Sequence, residues 1–375
     1  MRILFTSWAW ASHYYPMVPL AWACRAAGND VRVFSSPGLR RVVENSGLPA
    51  VSGGADVDVA GMVQQRMRDG ARSGTGRDGG SFRGLSMFAA VAEAMVDELI
   101  SFGRWWRPDL VVYEPTTYAG PLAAAALGVP GVRHGWGPDF MHQASAHEPG
   151  LLAPLAERIG AGPVSVRGAL LVDPCPPSLQ CAGLPERQSM RYVPYNGPGQ
   201  APGWLLEPGR APRICVTWGT STTKLNAELT VVGDVLRALG DVDADVVATL
   251  SEEDRELLGP VPPNARVVPP VPLHALLPTC TALVGQGGLG TMMSAVTCGV
   301  PQLVVPQLPD QRFNAGLLAA SGAGTVLERT ELDRLAAEVA ALPARQAAAE
   351  RLRDENAALA APVDVVPVLA KLAGG

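Results

Sequence analysis

Residues 282–305 read ALVGQGGLGTMMSAVTCGVPQLVV and contain one strand, turn, helix and strand unit. The apolar runs at 282–285 and 302–305 predict buried strands, and residues 291–298 predict the helix between them. The same alternation of strand and helix begins at Arg2 and begins again at Ile214. Strands that are separated by helices form mostly parallel sheets, so the sequence predicts an α/β fold with two Rossmann-like, doubly wound domains.

Chain length also favours two domains, because 375 residues exceed what one hydrophobic core usually organises. Residues 193–212 are rich in Pro and Gly with few periodic apolar positions, which is typical of a linker. We therefore expect an N-terminal domain at 1–205 and a C-terminal domain at 206–375. A last helix is predicted at about 363–372, and the sequence leaves open which domain it packs on.

One segment, Arg66–Gly84, has six glycines, five arginines and no apolar period. This composition predicts a loop. A lid or binding loop and a plain disordered segment both stay open as interpretations.

Charge and composition exclude several classes of partner. The chain has 30 Lys and Arg against 35 Asp and Glu, a net charge of -5, and no dense basic block that would favour nucleic acid or an anionic membrane. It has no apolar stretch of 18 residues and its start lacks the apolar core of a signal peptide, so we expect neither a membrane span nor export. Its six cysteines show no CxxC pair and no metal-ligand spacing, which fits free thiols in the cytoplasm.

A glycine-rich turn lies between the predicted strand at 282–285 and the helix that follows it. Such a turn presents unpaired N–H groups and the positive end of the helix dipole, which suits a diphosphate, and Gln286 and Thr291 can add side-chain donors. An ordinary tight turn is the alternative interpretation.

The turn also matches the dinucleotide-binding pattern G-x-G-x-x-G. It follows about the fourth strand of its domain, whereas the dinucleotide fingerprint follows the first strand, so NAD is not expected.

Asp310 and Gln311 follow the next predicted strand, at the sheet edge where open α/β sheets bind ligands. A carboxylate and an amide suit sugar hydroxyls, each of which donates and accepts. A helix-capping Asp followed by a solvent-facing Gln is the alternative.

The run from Pro270 to Ala315 resembles the donor-binding signature of GT-B glycosyltransferases that use nucleotide sugars, particularly the antibiotic-tailoring branch that includes enediyne and macrolide transferases. Similar features extend over nearly the whole chain, in Ser12-His13, in 173–180 and in 192–198. The resemblance implies two domains facing across a cleft, with an N-terminal domain for the acceptor and a C-terminal domain for the nucleotide sugar.

For the donor, the resemblance implies that Val271 and its neighbours hold the base and that Asp310 and Gln311 hold the sugar. It assigns the diphosphate to residues of two turns and one helix: Gly219, Thr220, Ser221, Gln286, Gly287, Gly288, Gly290, Thr291 and Asn314. One position departs from the family, since many members have His-His-Gly-Gly where this chain has Gly285 to Gly288 with Gln286 in the second place. Glutamine can donate a hydrogen bond but cannot become cationic, and we expect activity to persist.

For the acceptor, His13 follows the first strand, and an imidazole nitrogen can accept a proton, which suits a general base. The resemblance supports that role, and Glu114, after the strand at 109–113, is the matching carboxylate partner. A loop histidine and a solvated acid are the alternatives, and His134 is a second candidate. An apolar acceptor would contact the large side chains after the strands of this domain, namely Trp8, Trp10, Tyr14, Tyr15, Trp136, Phe140 and Met141.

These observations together predict an inverting, metal-independent glycosyltransferase that moves a deoxysugar from TDP, or UDP, to a hydroxyl of a polyketide, macrolide or enediyne aglycone. We expect no cofactor and no metal, because no Asp-x-Asp pair occupies a suitable position. The expected partners are the nucleotide sugar and the small-molecule acceptor, and a homodimer stays open. A nucleotide-sugar epimerase of GT-B fold and a non-catalytic auxiliary sugar-nucleotide-binding protein are the alternatives.

Overall fold

The computed structural model describes residues 1–65, 84–206, 212–219, 230–256 and 258–374. The chain forms two compact units. The first contains Met1–Cys175, Ala182–Arg191 and Leu359–Gly375, and the second contains Pro176–Cys181 and Tyr192–Ala358. Nearly all of the predicted glycine-rich loop lies outside the described residues.

A parallel sheet of seven strands organises the first unit, in the order β3-β2-β1-β4-β5-β6-β7. The order reverses between β1 and β4, and ligands of open α/β sheets bind at the carboxyl ends of the strands at such a point. The strands are β1 Arg2–Ser7, β2 Asp30–Ser35, β3 Ala50–Ser52, β4 Leu110–Tyr113, β5 Gly131–His134, β6 Leu170–Asp173 and β7 Gln188–Ser189.

Helices cover this sheet, and β4 and β5 are buried along their whole length, as central parallel strands are. The last helix, α14 (Pro362–Gly374), belongs here, because it packs against α2 (Val18–Ala26). The described helices of the unit are α1 Ala11–Tyr14, α2 Val18–Ala26, α3 Arg40–Asn45, α4 Leu85–Trp106, α5 Ala119–Leu127, α6 Glu148–Arg158 and α14 Pro362–Gly374.

The second unit repeats the plan with six parallel strands in the order β10-β9-β8-β11-β12-β13, which reverses between β8 and β11. Its strands are β8 Arg213–Thr217, β9 Asp245–Thr249, β10 Ala265–Val268, β11 Ala282–Gly285, β12 Gln302–Val304 and β13 Gly324–Val326. Its described helices are α7 Thr230–Ala238, α8 Glu252–Glu256, α9 Leu273–Leu276, α10 Leu289–Cys298, α11 Pro309–Ala320, α12 Leu335–Ala341 and α13 Gln346–Ala358.

The predicted fold class, two Rossmann-like parallel sheets with helices, is confirmed. Some boundaries differ by one or two residues, since β12 ends at Val304 and β4 begins at Leu110. At the glycine turn, α10 begins at Leu289 rather than at the predicted Thr291, because Gly288, with its extended backbone (φ -61°, ψ 133°), is the N-cap.

Within the described residues, no single helix is long and apolar enough to cross a membrane. The segments Arg329–Ala358 and Pro362–Gly374 meet the length and composition criteria only when they are taken together.

Candidate active site

His13 lies beyond the carboxyl end of β1, at the point where the strand order of the first sheet reverses. Trp10, whose backbone is extended, is the N-cap of the short helix α1 that follows β1. The His13 amide donates to the Trp10 carbonyl at 3.0 Å in this first turn. The His13 side chain is 19% exposed, so a ligand can reach part of the ring.

Glu114 is the first residue after β4, the strand next to β1, and is fully buried. Its carboxylate accepts from the Thr116 amide at 2.8 Å, from the Thr116 hydroxyl at 2.9 and 3.0 Å, and from the Thr117 hydroxyl. Three donors therefore replace the water that the carboxylate loses, which makes its burial tolerable.

The structure brings His13 and Glu114 together through a third residue. His13 Nδ1 lies 2.9 Å from Thr116 Oγ1 and 3.6 Å from Glu114 Oε2. Only the shorter distance is that of a hydrogen bond. The Thr116 hydroxyl, which also accepts from Trp8 Nε1 at 3.0 Å, thus connects the imidazole to the carboxylate.

Aromatic rings surround the imidazole. The Trp136 ring centroid lies 4.4 Å from that of His13, Trp8 meets the ring edge-on at 5.2 Å, and Trp10 lies at 6.4 Å. These rings belong to, or pack against, one hydrophobic cluster that also includes Phe140 and Met141. Five of the seven predicted acceptor contacts therefore share one cluster.

Tyr14 and Tyr15 are the other two predicted acceptor contacts, and Tyr14 points elsewhere. Tyr14 is fully buried and its hydroxyl lies 2.7 Å from Ser46 Oγ, while Tyr15 has its pKa raised by burial. Their ring centroids are 6.3 Å apart. The turn of a helix separates successive side chains by about 100°, so Tyr14 points away from the direction of His13.

A buried ion pair holds the segment that carries Phe140 and Met141. Arg133, at the end of β5, forms a two-point contact with Asp139 at 2.6 and 3.1 Å. Asp139 also accepts from the His142 amide at 3.1 Å and so caps the short helix Phe140–Ala144. Such bidentate contacts fix geometry as well as charge.

His134, the second candidate base, is fully buried. Its Nδ1 lies 2.6 Å from the Gly135 carbonyl, and burial lowers the pKa of the ring to about 4. In the described part of the chain its Nε2 has no hydrogen-bond partner. A histidine without exposed surface is poorly placed to take a proton from a substrate, so His13 is the better candidate.

In the second unit, the glycine turn after β11 leads into the N-terminus of α10. Gly287 has a left-handed backbone (φ 87°), and Gln286 is buried beneath the turn. A Cβ atom on Gly219 or on Gly288 would lie 2.7 or 2.8 Å from Gln286 Nε2. A side chain at either position would therefore require the Gln286 amide to move, and at Gly219 the left-handed backbone (φ 63°) also favours glycine.

Two amide side chains stabilise the surroundings of this turn. Asn314 Nδ2 donates to the Gly287 carbonyl at 3.1 Å, and Gln311 Oε1 accepts from the amides of Gln307 and Leu308 at 2.9 and 3.1 Å, which caps α11. Gln311 is buried rather than solvent-facing. Asp310 lies beside it in the first turn of α11 and is partly buried.

The remaining predicted donor residues fall into two groups. Gly290 and Thr291 lie in the first turn of α10, and Val271 is buried in a hydrophobic cluster of the same unit. Thr220 and Ser221 lie outside the described residues, although Gly219 before them has a left-handed backbone (φ 63°).

Comparisons with known proteins identify the family. Residues 22–219 match the model of the "Erythromycin biosynthesis protein CIII-like, N-terminal domain", and residues 233–372 match that of the C-terminal domain. The chain belongs to this family.

The relatives of this chain include glycosyltransferases. It is 39% identical to the 10-deoxymethynolide desosaminyltransferase of Streptomyces venezuelae, over 100% of this chain and 97% of that protein. It is 36% identical to the 3-alpha-mycarosylerythronolide B desosaminyl transferase of Saccharopolyspora erythraea, over 100% and 99%.

Solved structures agree with these relatives. Glycosyltransferase VinC in complex with dTDP superposes with a TM-score of 0.84 at 34% identity, over 100% of both chains. The spinosyn rhamnosyltransferase SpnG with spinosyn aglycone gives a TM-score of 0.84 at 30% identity, over 99% of this chain and 100% of that one. The chain is a glycosyltransferase of GT-B fold.

One functional candidate of this glycosyltransferase was missed in the sequence. Thr116 belongs to Glu-Pro-Thr-Thr at 114–117, and hydroxyl residues two and three positions after a strand-ending carboxylate are a usable signal for a carboxylate that caps its own loop. Within the described ranges, no three His, Cys, Asp or Glu side chains come together as a metal site would require.

Proposed function

We propose that this enzyme transfers a deoxysugar from TDP to a hydroxyl of a polyketide-type aglycone, with inversion at the anomeric carbon and without a metal. Sequence identities of 36 to 39% to desosaminyl, mycaminosyl and daunosamine transferases, over 99 to 100% of this chain, support the sugar class. Neighbouring structures complexed with TDP and with spinosyn aglycone support the donor and the acceptor class. The observation that carries the chemistry is the His13, Thr116 and Glu114 arrangement at the reversal point of the first sheet.

In the proposed reaction, His13 accepts the proton of the acceptor hydroxyl. The oxygen then attacks the anomeric carbon on the face opposite the diphosphate, the carbon–oxygen bond to the diphosphate breaks, and TDP leaves with both electrons of that bond. A positioned general base contributes about 10² to 10⁴ in rate. Stabilisation of the charge that develops on the leaving group supplies a further part.

The departing diphosphate is proposed to lie against the N-terminus of α10. The first-turn amides there have no partners inside the helix and carry its positive dipole end, and Thr291 adds a hydroxyl. Gln286, held against Gly219 and Gly288, takes the place of the imidazole found in many relatives. Asp310 and Gln311 are proposed for the sugar, and Val271 for the base.

The acceptor is proposed to contact the partly buried rings of Trp10 and Trp136, which lie beside His13, and that of Phe140, which packs against the same hydrophobic cluster. Trp8 and Met141 are more deeply buried, so they would support these contacts from below. An apolar aglycone suits such a surface.

The cytoplasm is the proposed location, since all six cysteines are free thiols and a reducing compartment keeps them so. The proposal includes no nucleic acid or membrane partner, in line with the net charge of -5. Analytical ultracentrifugation tests the homodimer that the sequence left open.

Mass spectrometry of reactions with TDP-sugars, UDP-sugars and a panel of aglycones tests the function. The proposal predicts glycosylated aglycone from a TDP-deoxysugar, with the anomeric configuration inverted in the NMR spectrum of the product. Consumption of nucleotide sugar without any acceptor would instead identify an epimerase. Binding without turnover across the panel would identify an auxiliary protein. The named relatives are transferases and favour neither alternative.

A further inference from the structure

The hydrogen bonds around Thr116 fix how protons are arranged on the proposed catalytic histidine. Thr116 Oγ1 has three neighbours: Glu114 at 2.9 and 3.0 Å, Trp8 Nε1 at 3.0 Å and His13 Nδ1 at 2.9 Å. A threonine hydroxyl has one proton and two lone pairs. With three neighbours, one must receive the proton and two must donate to the lone pairs.

Two of the three assignments follow from chemistry alone. An indole nitrogen only donates, so Trp8 fills one lone pair. An ionised carboxylate only accepts, so Glu114 receives the threonine proton. The amide of Thr116 and the hydroxyl of Thr117 also donate to this carboxylate, so its oxygens act as acceptors towards the whole loop.

The third neighbour must then donate, which places a proton on His13 Nδ1. We propose that Thr116 is a positioning residue that holds His13 in the Nδ1–H form and so leaves the lone pair of Nε2 for the acceptor hydroxyl. The carboxylate does this only through the threonine, because Glu114 Oε2 is 3.6 Å from Nδ1, beyond hydrogen-bond distance. This inference rests on the proposed role of His13 as the base.

The same arrangement continues to act during the reaction. When Nε2 takes the proton of the acceptor hydroxyl, Nδ1–H stays bound to Thr116 and the new positive charge lies 3.6 Å from Glu114. The proton then passes from Nε2 to solvent after the product leaves. No proton moves through the threonine.

Three variants separate this role from a structural one. Thr116→Val removes the hydroxyl at nearly constant shape, and Thr116→Ser restores it. Thr117→Val is the matched control, because Thr117 is equally buried and also donates to Glu114, but the structure gives it no contact with His13. Thermal melting first establishes that all three fold.

The decisive readout is the His13 tautomer, measured from two-bond ¹H–¹⁵N correlations in ¹⁵N-histidine protein, with the signal assigned by its loss in His13→Ala. We expect Nδ1–H in the wild type, in Thr116→Ser and in Thr117→Val, and a mixture that includes Nε2–H in Thr116→Val. An Nε2–H ring in the wild type, or an unchanged tautomer in Thr116→Val, would overturn the inference. This readout needs no turnover, so it decides even if the proposed reaction is wrong.

Kinetics provide the second readout. In Thr116→Val we expect kcat with an alcohol acceptor to fall by roughly 10² while KM for the nucleotide sugar stays constant, since only general-base assistance is lost. Thr116→Ser should stay within about threefold of wild type, and Thr117→Val should lose much less than Thr116→Val. Equal losses in Thr116→Val and Thr117→Val would assign both residues to support of Glu114 alone and overturn the proposal.

Discussion

Replacing Glu114 by glutamine tests how strongly the buried carboxylate assists the reaction. The two side chains have the same shape, so the change removes the charge and leaves the packing. A glutamine oxygen in place of Oε2 still accepts from the Thr116 amide, and its NH₂ group can donate to the Thr117 hydroxyl, which turns round to accept. We expect a modest fall in stability, about 1 to 2 kcal/mol, from exchanging charged for neutral hydrogen bonds.

The expected effect on turnover is larger, and it follows from the distance between the His13 imidazole and the Glu114 carboxylate. Opposite unit charges 3.6 Å apart interact by about 4 to 5 kcal/mol at an effective dielectric constant of about 20. Because the His13 side chain is 19% exposed, solvent screens part of this, which leaves about 1.5 to 3 kcal/mol for stabilising the imidazolium in the transition state. That range corresponds to a loss in kcat of about 10- to 10²-fold.

Steady-state kinetics with saturating nucleotide sugar and an alcohol acceptor measure this loss. KM for the nucleotide sugar should stay unchanged, since Glu114 lies in the first unit and the proposed donor residues lie in the second. Wild-type kcat in a folded Glu114→Gln protein would refute the reasoning, as would a loss confined to KM.

Two further predictions concern other buried side chains. Gln286→His should preserve or tighten TDP binding in calorimetry, because the imidazole is a donor of similar reach and can also become cationic. A large loss of affinity would show that the site is built around glutamine. His134→Gln should resist acid better than wild type: the folded pKa of His134 is lowered to about 4 from 6.5, so its contribution to stability is complete above pH 6.5 and disappears as the pH falls towards 4. Denaturant unfolding should show wild type losing about 3 kcal/mol more than the variant over that window, and parallel losses would contradict the pKa.

The fold was predictable because its signals are periodic and local. The run at 282–285 is short, apolar and bounded by turn residues, and it is a strand with the predicted bounds. Strands β7 and β13, with two and three residues, are too short to give such a signal and were not predicted. The end of the chain shows another limit, since the packing of α14 on α2 depends on contacts between residues far apart in sequence.

The candidate site was predictable only in part. The positions of His13 and Glu114 were predictable because both follow strands that the pattern places at the sheet edge, while their roles stay predictions. Thr116 was missed because its role depends on a loop that folds back, with the Thr117 amide bound to the Glu114 carbonyl at 3.1 Å. The placement of Tyr14 was equally out of reach, since it depends on where α1 begins.

Turnover by His13→Ala with an alcohol acceptor and saturating nucleotide sugar tests the central claim, that His13 is the general base, most directly. The account predicts a fall in kcat of roughly 10² or more, with TDP affinity and thermal stability nearly unchanged, and a smaller loss with a phenol acceptor that ionises more readily. Turnover of the alcohol at the wild-type rate would make His13 a structural residue and contradict the mechanism.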